Sequence, residues 1–272
     1  MANFRRISSI VLLAALSLPC AAPAQTPGPA ASPDPAATPD LAAIAARGRF
    51  LADYDQAAWH GSDAGQAAAG NDTAGLDLFI ARKIPTGWVV DFGALDAAGT
   101  SFLTVYEATG ADTRHFTVQT FKPARADTGF VVAAAHAIKT AEANFQAVAG
   151  HTYNVAVMPN DDGTMYVYMY PAQISSIVPL GGDERFNVSA DGTTLIDAHR
   201  MHDSILMLNA SVPAGSTAVA AVHTDIHSDV PEDTDVFHVL ASNPRLPEFV
   251  SARGHLYRID IDGTITALPS KP

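Results

Sequence analysis

Two imidazoles and five carboxylates crowd one short stretch, Val222-His-Thr-Asp-Ile-His-Ser-Asp-Val-Pro-Glu-Asp-Thr-Asp235. Residues two apart on a strand share a face, so a strand reaching residue 227 would present His223, Asp225 and His227 together. Imidazole and carboxylate at that spacing can chelate a divalent ion. Zinc is commonly held in this way, with a further ligand from elsewhere and an open position for water. Asp235 or Asp229 could supply the further ligand, making His223, Asp225, His227 and Asp235 the candidate metal set. The ion would lower the pKa of its water to about 7 and so generate a nucleophile.

Charge density points the same way. Asp225, Asp229, Glu232, Asp233 and Asp235 lie within eleven positions. Two carboxylates ~4 Å apart repel by roughly 4 kcal/mol at an effective dielectric of about 20. They must splay into water, hold a proton or share a cation. A plainer reading competes: Pro231-Glu-Asp-Thr begins a helix, and acids are favoured in its first turn by the helix dipole. His199-x-x-His202 could add a ligand, but with Arg200 and Asp203 beside it the pair reads as surface. The chain contains no Gly-x-Ser-x-Gly elbow, no glycine-rich phosphate loop and no His-Glu-x-x-His.

The elements that would position these groups follow from periodicity. Leu41 to His60, extending toward Ala69, reads as a helix interrupted at Gly48, with Tyr54 and Trp59 as its contacts to a sheet. From Leu76 the period becomes two. Strands are expected at 78–84, 88–95, 101–108 and 114–121, joined by tight turns. An alanine-rich helix should occupy 129–149. His151 to Met158 and Thr164 to Tyr170 form a hairpin around Asn160-Asp-Asp-Gly163, with Tyr166, Tyr168 and Tyr170 on one face as cross-strand packing. Further strands are expected at 186–189, 193–198, 204–208, 218–223, 249–251, 256–261 and 264–267, and a short helix at 234–241. The fold class is α+β, antiparallel sheets with a few packed helices. The loss of periodicity over 171–183 suggests a boundary between an N-terminal domain, 41–172, and a C-terminal domain, 184–268.

The ends and composition set the context. Arg5 and Arg6, the apolar run from Ile10 to Leu18 and Ala22-Pro-Ala24 form a three-part secretory pattern, with cleavage expected after Ala24. Cys20 raises lipid anchoring as a rival, but Pro19 beside it fits a lipoprotein signal poorly. Residues 25–40 are Ala/Pro-rich and read as a tether. Cleavage would remove the only cysteine, so stability must come from packing. It would also remove two arginines and take the formal charge from −12 to −14. An acidic chain lacks the basic face that nucleic acid requires. No later segment has the ~18 or more consecutive apolar residues of a transmembrane helix. The expectation is a soluble protein, periplasmic or secreted, with a small-molecule or peptide ligand left unspecified.

The C-terminal part resembles the JAB/MPN (JAMM) metalloprotease family, whose motif is His-x-His on a strand followed by Ser-x-x-Asp at a helix start. His223 matches the first histidine, and Asp225 stands in the place of the second. Glu232-Asp-Thr-Asp235 matches the helix element, with Glu232 in place of serine. Pro247 to Ile265 resembles the family's closing strands, and Glu184 is the nearest candidate for its upstream glutamate. The chain as a whole resembles exported bacterial proteins. Two expectations result. One is a non-catalytic binding or structural protein of the envelope, without a cofactor. The other, implied by the resemblance, is a zinc-dependent hydrolase.

Overall fold

In the computed structural model, residues 40–70, 74–208 and 215–269 are described. The secretory pattern and nearly all of the tether lie outside them. Leu41–Ala69 is one continuous helix, α1, as its alanine content favours. Four strands follow, β1 (Leu78–Ile84), β2 (Gly87–Leu95), β3 (Phe102–Gly110) and β4 (Thr117–Asp127), paired as an antiparallel meander in that order. Helix α2 (Phe130–Asn144) comes next. Strands β5 (Tyr153–Pro159) and β6 (Met165–Pro171) precede the two-residue β7 (Leu180–Gly181), and β8 (Glu184–Val188) and β9 (Leu195–Arg200) complete a second antiparallel sheet, β5-β6-β8-β9. The short β10 (Ile205–Leu206) pairs with β7. The last sheet, β11-β12-β13-β14, comprises Ala221–Asp225, Glu248–Ala252, His255–Ile259 and Ile265–Leu268, with α3 (Asp233–Ala241) between β11 and β12.

The architecture is therefore α+β, mainly antiparallel, with three helices among the described residues. One pairing departs from the expected antiparallel pattern: β11 runs parallel to β12. A parallel pair needs a crossover, and α3 supplies it. From Leu41 on, the chain gathers into one compact unit. The segment expected to divide two domains lies between β6 and β8, which pair with each other in one sheet.

Four local readings need correction. Gly48 does not interrupt α1. It is where α3 crosses: a Cβ there would stand 2.4 Å from Val236 Cβ and 2.6 Å from the Asp233 carbonyl. Trp59 is not a sheet contact but is 46% exposed, stacked on His60. Tyr54 is buried as expected, edge-on to Trp88 with its hydroxyl accepting from Ala81 N–H. The fourth strand starts at Thr117 rather than Arg114. The Asp112 carboxylate holds the Arg114 and His115 amides in a turn at 2.8 Å each. The strand continues to Asp127 because Arg125 binds both Asp127 (2.8 Å) and Glu107 on β3 (2.7 Å). Helix α2 stops short of Ala149, at Asn144, where Phe145 turns into extended backbone and packs on Tyr153 at 4.7 Å.

The cores explain the layering. One side of α2 packs Ala134, Ala137 and Ile138 against Ile80 and Phe102 of the first sheet and Val167 and Phe186 of the second. Leu51, Tyr54 and Ala57 of α1 pack with Val90, Tyr168 and Phe237. Val236 and Val239 of α3 pack on Val250 and Ile259 of the last sheet, closed by Ile44. The tyrosine ladder belongs to this packing: Tyr168 and Tyr170 are buried, and Tyr170 meets Phe237 edge-on at 5.0 Å.

Candidate metal centre

The first turn of α3 carries three acids, each with a different partner. Glu232 at the N-cap meets His199 Nε2 at 2.9 Å. Asp233 accepts from Arg47 Nε (2.9 Å), from the Tyr168 hydroxyl (2.9 Å) and from Arg185. Asp235 turns one oxygen, Oδ2, back to the Glu232 backbone N–H at 2.8 Å, closing the helix start. The helix-start reading of this acidic stretch thus holds, and it fixes where the other oxygen of Asp235 points.

That oxygen, Oδ1, lies 3.1 Å from His223 Nε2 and 3.2 Å from His202 Nε2. The three ligand atoms all lie within 4.8 Å of one another. His223 comes from β11, His202 from the segment just after β9, and Asp235 from α3. Each is held from behind. His202 Nδ1 is 2.9 Å from Asp183 Oδ1, and His223 Nδ1 is 2.7 Å from Glu248 Oε1. The second oxygen of Glu248 meets His238 Nδ1 at 2.8 Å. Asp183, His202, Asp235, His223, Glu248 and His238 thus form a buried chain of alternating carboxylate and imidazole.

The contacts to Asp235 Oδ1 are short without being aligned hydrogen bonds. Both Nε2 atoms and Oδ1 are buried, and none makes a hydrogen bond of acceptable direction. By contrast, the Nδ1 contacts to Asp183 and Glu248 are well placed. A carboxylate behind each ring fixes the Nδ1–H tautomer and turns the Nε2 lone pair inward. Two lone pairs aimed toward one carboxylate oxygen repel unless a cation or protons lie among them. Without an ion, protons take that place. Burial alone would lower the His223 pKa, but Asp235 and Glu248 outweigh it and raise it to about 10. His202 is raised well above its ordinary value: Asp183 and Asp235 overcome the same burial penalty. Asp235 is held below the usual carboxylate range, since the two histidines outweigh its desolvation.

Of the residues singled out from sequence, the structure brings His223 and Asp235 together. Asp225 is buried on the same strand and accepts the His227 backbone N–H through Oδ1 at 2.8 Å, while its Oδ2 is buried without a partner. It is outside the three-atom cluster. The His227 ring turns away to Asp203, at 2.9 Å. His202, read as a surface residue from its charged neighbours, is only 8% exposed and completes the cluster. The one sequence signal toward it was Gly181-Gly182-Asp183. A Cβ on Gly181 would stand 2.3 Å from the Ser204 carbonyl and 3.0 Å from His202 Cβ, so glycine permits the approach that sets Asp183 against His202. Glu184 lies beside Arg200 at 3.3 Å.

In comparisons with known proteins, the chain matches no family model, no curated protein and no solved structure.

Proposed function

We propose that the protein binds one divalent cation, zinc by ligand type, at His202, His223 and Asp235, and that the ion has a structural role. The observation that carries this reading is the convergence of three donor atoms at contact distance without aligned hydrogen bonds. Donors about 2.0–2.1 Å from a tetrahedral zinc lie about 3.3 Å apart. The His–Asp separations of 3.1 and 3.2 Å come close to that edge length. Asp183 and Glu248 are the outer carboxylates that orient ligating histidines and raise their basicity. The ion would tie the end of β9, the strand β11 and the helix α3 to one point.

Burial favours the structural role over hydrolysis. Catalytic zinc keeps an open position for water and substrate, whereas all three ligand atoms here are shut off from solvent. Three protein donors leave one position of a tetrahedron, which an enclosed water would fill. The likeness to JAMM enzymes then extends to ligand type, with the second histidine arriving from the segment after β9. Given the secretory pattern at the N-terminus, the protein would take up its ion in the periplasm or outside the cell.

Equilibrium dialysis against zinc tests the reading. One equivalent of tightly bound zinc and a raised melting temperature are expected, without peptidase activity on an unfolded protein substrate. Protein that remains metal-free and melts unchanged after dialysis contradicts it.

A further inference from the structure

Asp225 and His227 stand outside the three-atom centre, and each carries a buried polar atom without a hydrogen bond. Asp225 is 1% exposed and its Oδ2 has no partner. Its Oδ1 accepts the His227 backbone N–H at 2.8 Å, which keeps the carboxylate against the turn that carries that ring. His227 Nε2 stands 2.9 Å from Asp203 Oδ2, again without an aligned hydrogen bond. Close contact without alignment is the feature of the centre itself, repeated one step outward. A buried polar atom left unpaired calls for an explanation, and two occur here within three residues.

Chain connectivity ties these groups to the centre. Asp203 directly follows the ligand His202. Asp225 shares the inward face of β11 with the ligand His223, and two residues along a strand span about 6.6 Å. The side chains grade from solvent to interior: Asp203 is 57% exposed, His227 is 33% exposed, and Asp225 and His223 are buried. The carboxylate standing on His227 Nε2 is therefore an exposed one, and exposed side chains change rotamer within nanoseconds. The other sides of the centre are closed. Buried Asp183 and Glu248 back the two histidines. At the start of α3, His199 is held to Glu232 by an aligned hydrogen bond of 2.9 Å.

We infer that Asp203 and His227 form the entry port of the metal centre, a transient site that takes up a hydrated divalent cation and passes it by Asp225 to His223 and His202. The inference rests on the metal reading above. Asp203 meets the ion in solution, and its turn outward uncovers His227 Nε2. Carboxylate and imidazole replace waters of the ion, and the free oxygen of Asp225 continues the path inward. Groups that touch the ion only in transit change its entry and exit rates by the same factor. They leave the equilibrium affinity where the three ligands set it.

Stopped-flow zinc uptake and chelator-driven release, beside equilibrium competition, test the port. In the double variant Asp203→Asn, His227→Gln, both rates should fall about tenfold, the lower end of what a charge-lined entrance contributes, with Kd unchanged. Asp161→Asn, which removes the same charge from the exposed turn between β5 and β6, should alter neither rate. His199→Gln, at the opposite contact, should alter neither rate. Unchanged rates in the double variant, or equal slowing by Asp161→Asn or His199→Gln, would overturn the port and leave the metal reading standing. Loss of zinc at equilibrium from the double variant would make the pair ligands and overturn it as well. An unaltered protein that binds no zinc would overturn both readings.

Discussion

Asp233 and Asp235 stand two residues apart in one helical turn. Both are fully buried, and both face two basic side chains. Around Asp233, two arginines and a tyrosine hydroxyl donate directly to its oxygens. Around Asp235, two imidazole nitrogens crowd one oxygen without directing a proton at it. The contrast separates two uses of a buried carboxylate. Aligned donors fix packing: Asp233 pins α3 to α1 through Arg47 and to the second sheet through Arg185 and Tyr168. Converging, unaligned donors frame a position for an ion. Burial and charge alone would not have told the two apart.

The largest expected effect breaks the Asp233 side. Asp233→Ala leaves two guanidinium groups and a buried hydroxyl without their acceptor, and removing one partner of a buried pair costs about 3–5 kcal/mol. Urea unfolding should give that loss equally in chelator and in zinc. A loss that zinc abolishes would move Asp233 into the metal set. Next is Glu248→Gln, which should weaken zinc about 10–100-fold, as loss of an outer carboxylate commonly does; competition with a chromophoric chelator reads this, and unchanged affinity would separate Glu248 from the centre. Gly48→Ala tests the crossing that places both aspartates. Alanine is the better helix former, by about 1 kcal/mol. Overpacking against Val236 and the Asp233 carbonyl should still lower stability by about 1–3 kcal/mol, and a raised melting temperature would refute the close approach.

A fourth effect is a pH slope. In metal-free protein the folded-state pKa of His223 is raised from 6.5 to about 10. A histidine raised in the folded state stabilises below its unfolded pKa, and that contribution is lost as pH rises through the folded value. In chelator the melting temperature should therefore fall between about pH 7 and 10. Zinc takes the place of the protons, so the zinc-loaded protein should lack that part of the decline. Parallel slopes in both conditions would show that His223 does not exchange a proton for the ion.

The helices and most strands were legible because their patterns are local: alanine runs, two-residue alternation and Asn-Asp-Asp-Gly or Asp-Gly turns. The start of α3 was legible for the same reason, since Glu232 and Asp235 read as a helix beginning. Gly48 was not, because its neighbour Val236 is 188 positions away. Two of the three cluster residues could be read along the chain, with His223 on a strand and Asp235 at a helix start. His202 could not, because its role comes from the pairing of β8 with β9, which sets Asp183 behind it. Strand alternation suggested His227, but β11 ends at Asp225, and the ring then turns toward Asp203.

That difference supplies the most direct test of the centre. Zinc titration of the unaltered protein, His202→Ala and His227→Ala should give one tight equivalent in the first, none in the second and one in the third. Zinc retained by His202→Ala and lost from His227→Ala would contradict the account and return the ligands to the single strand.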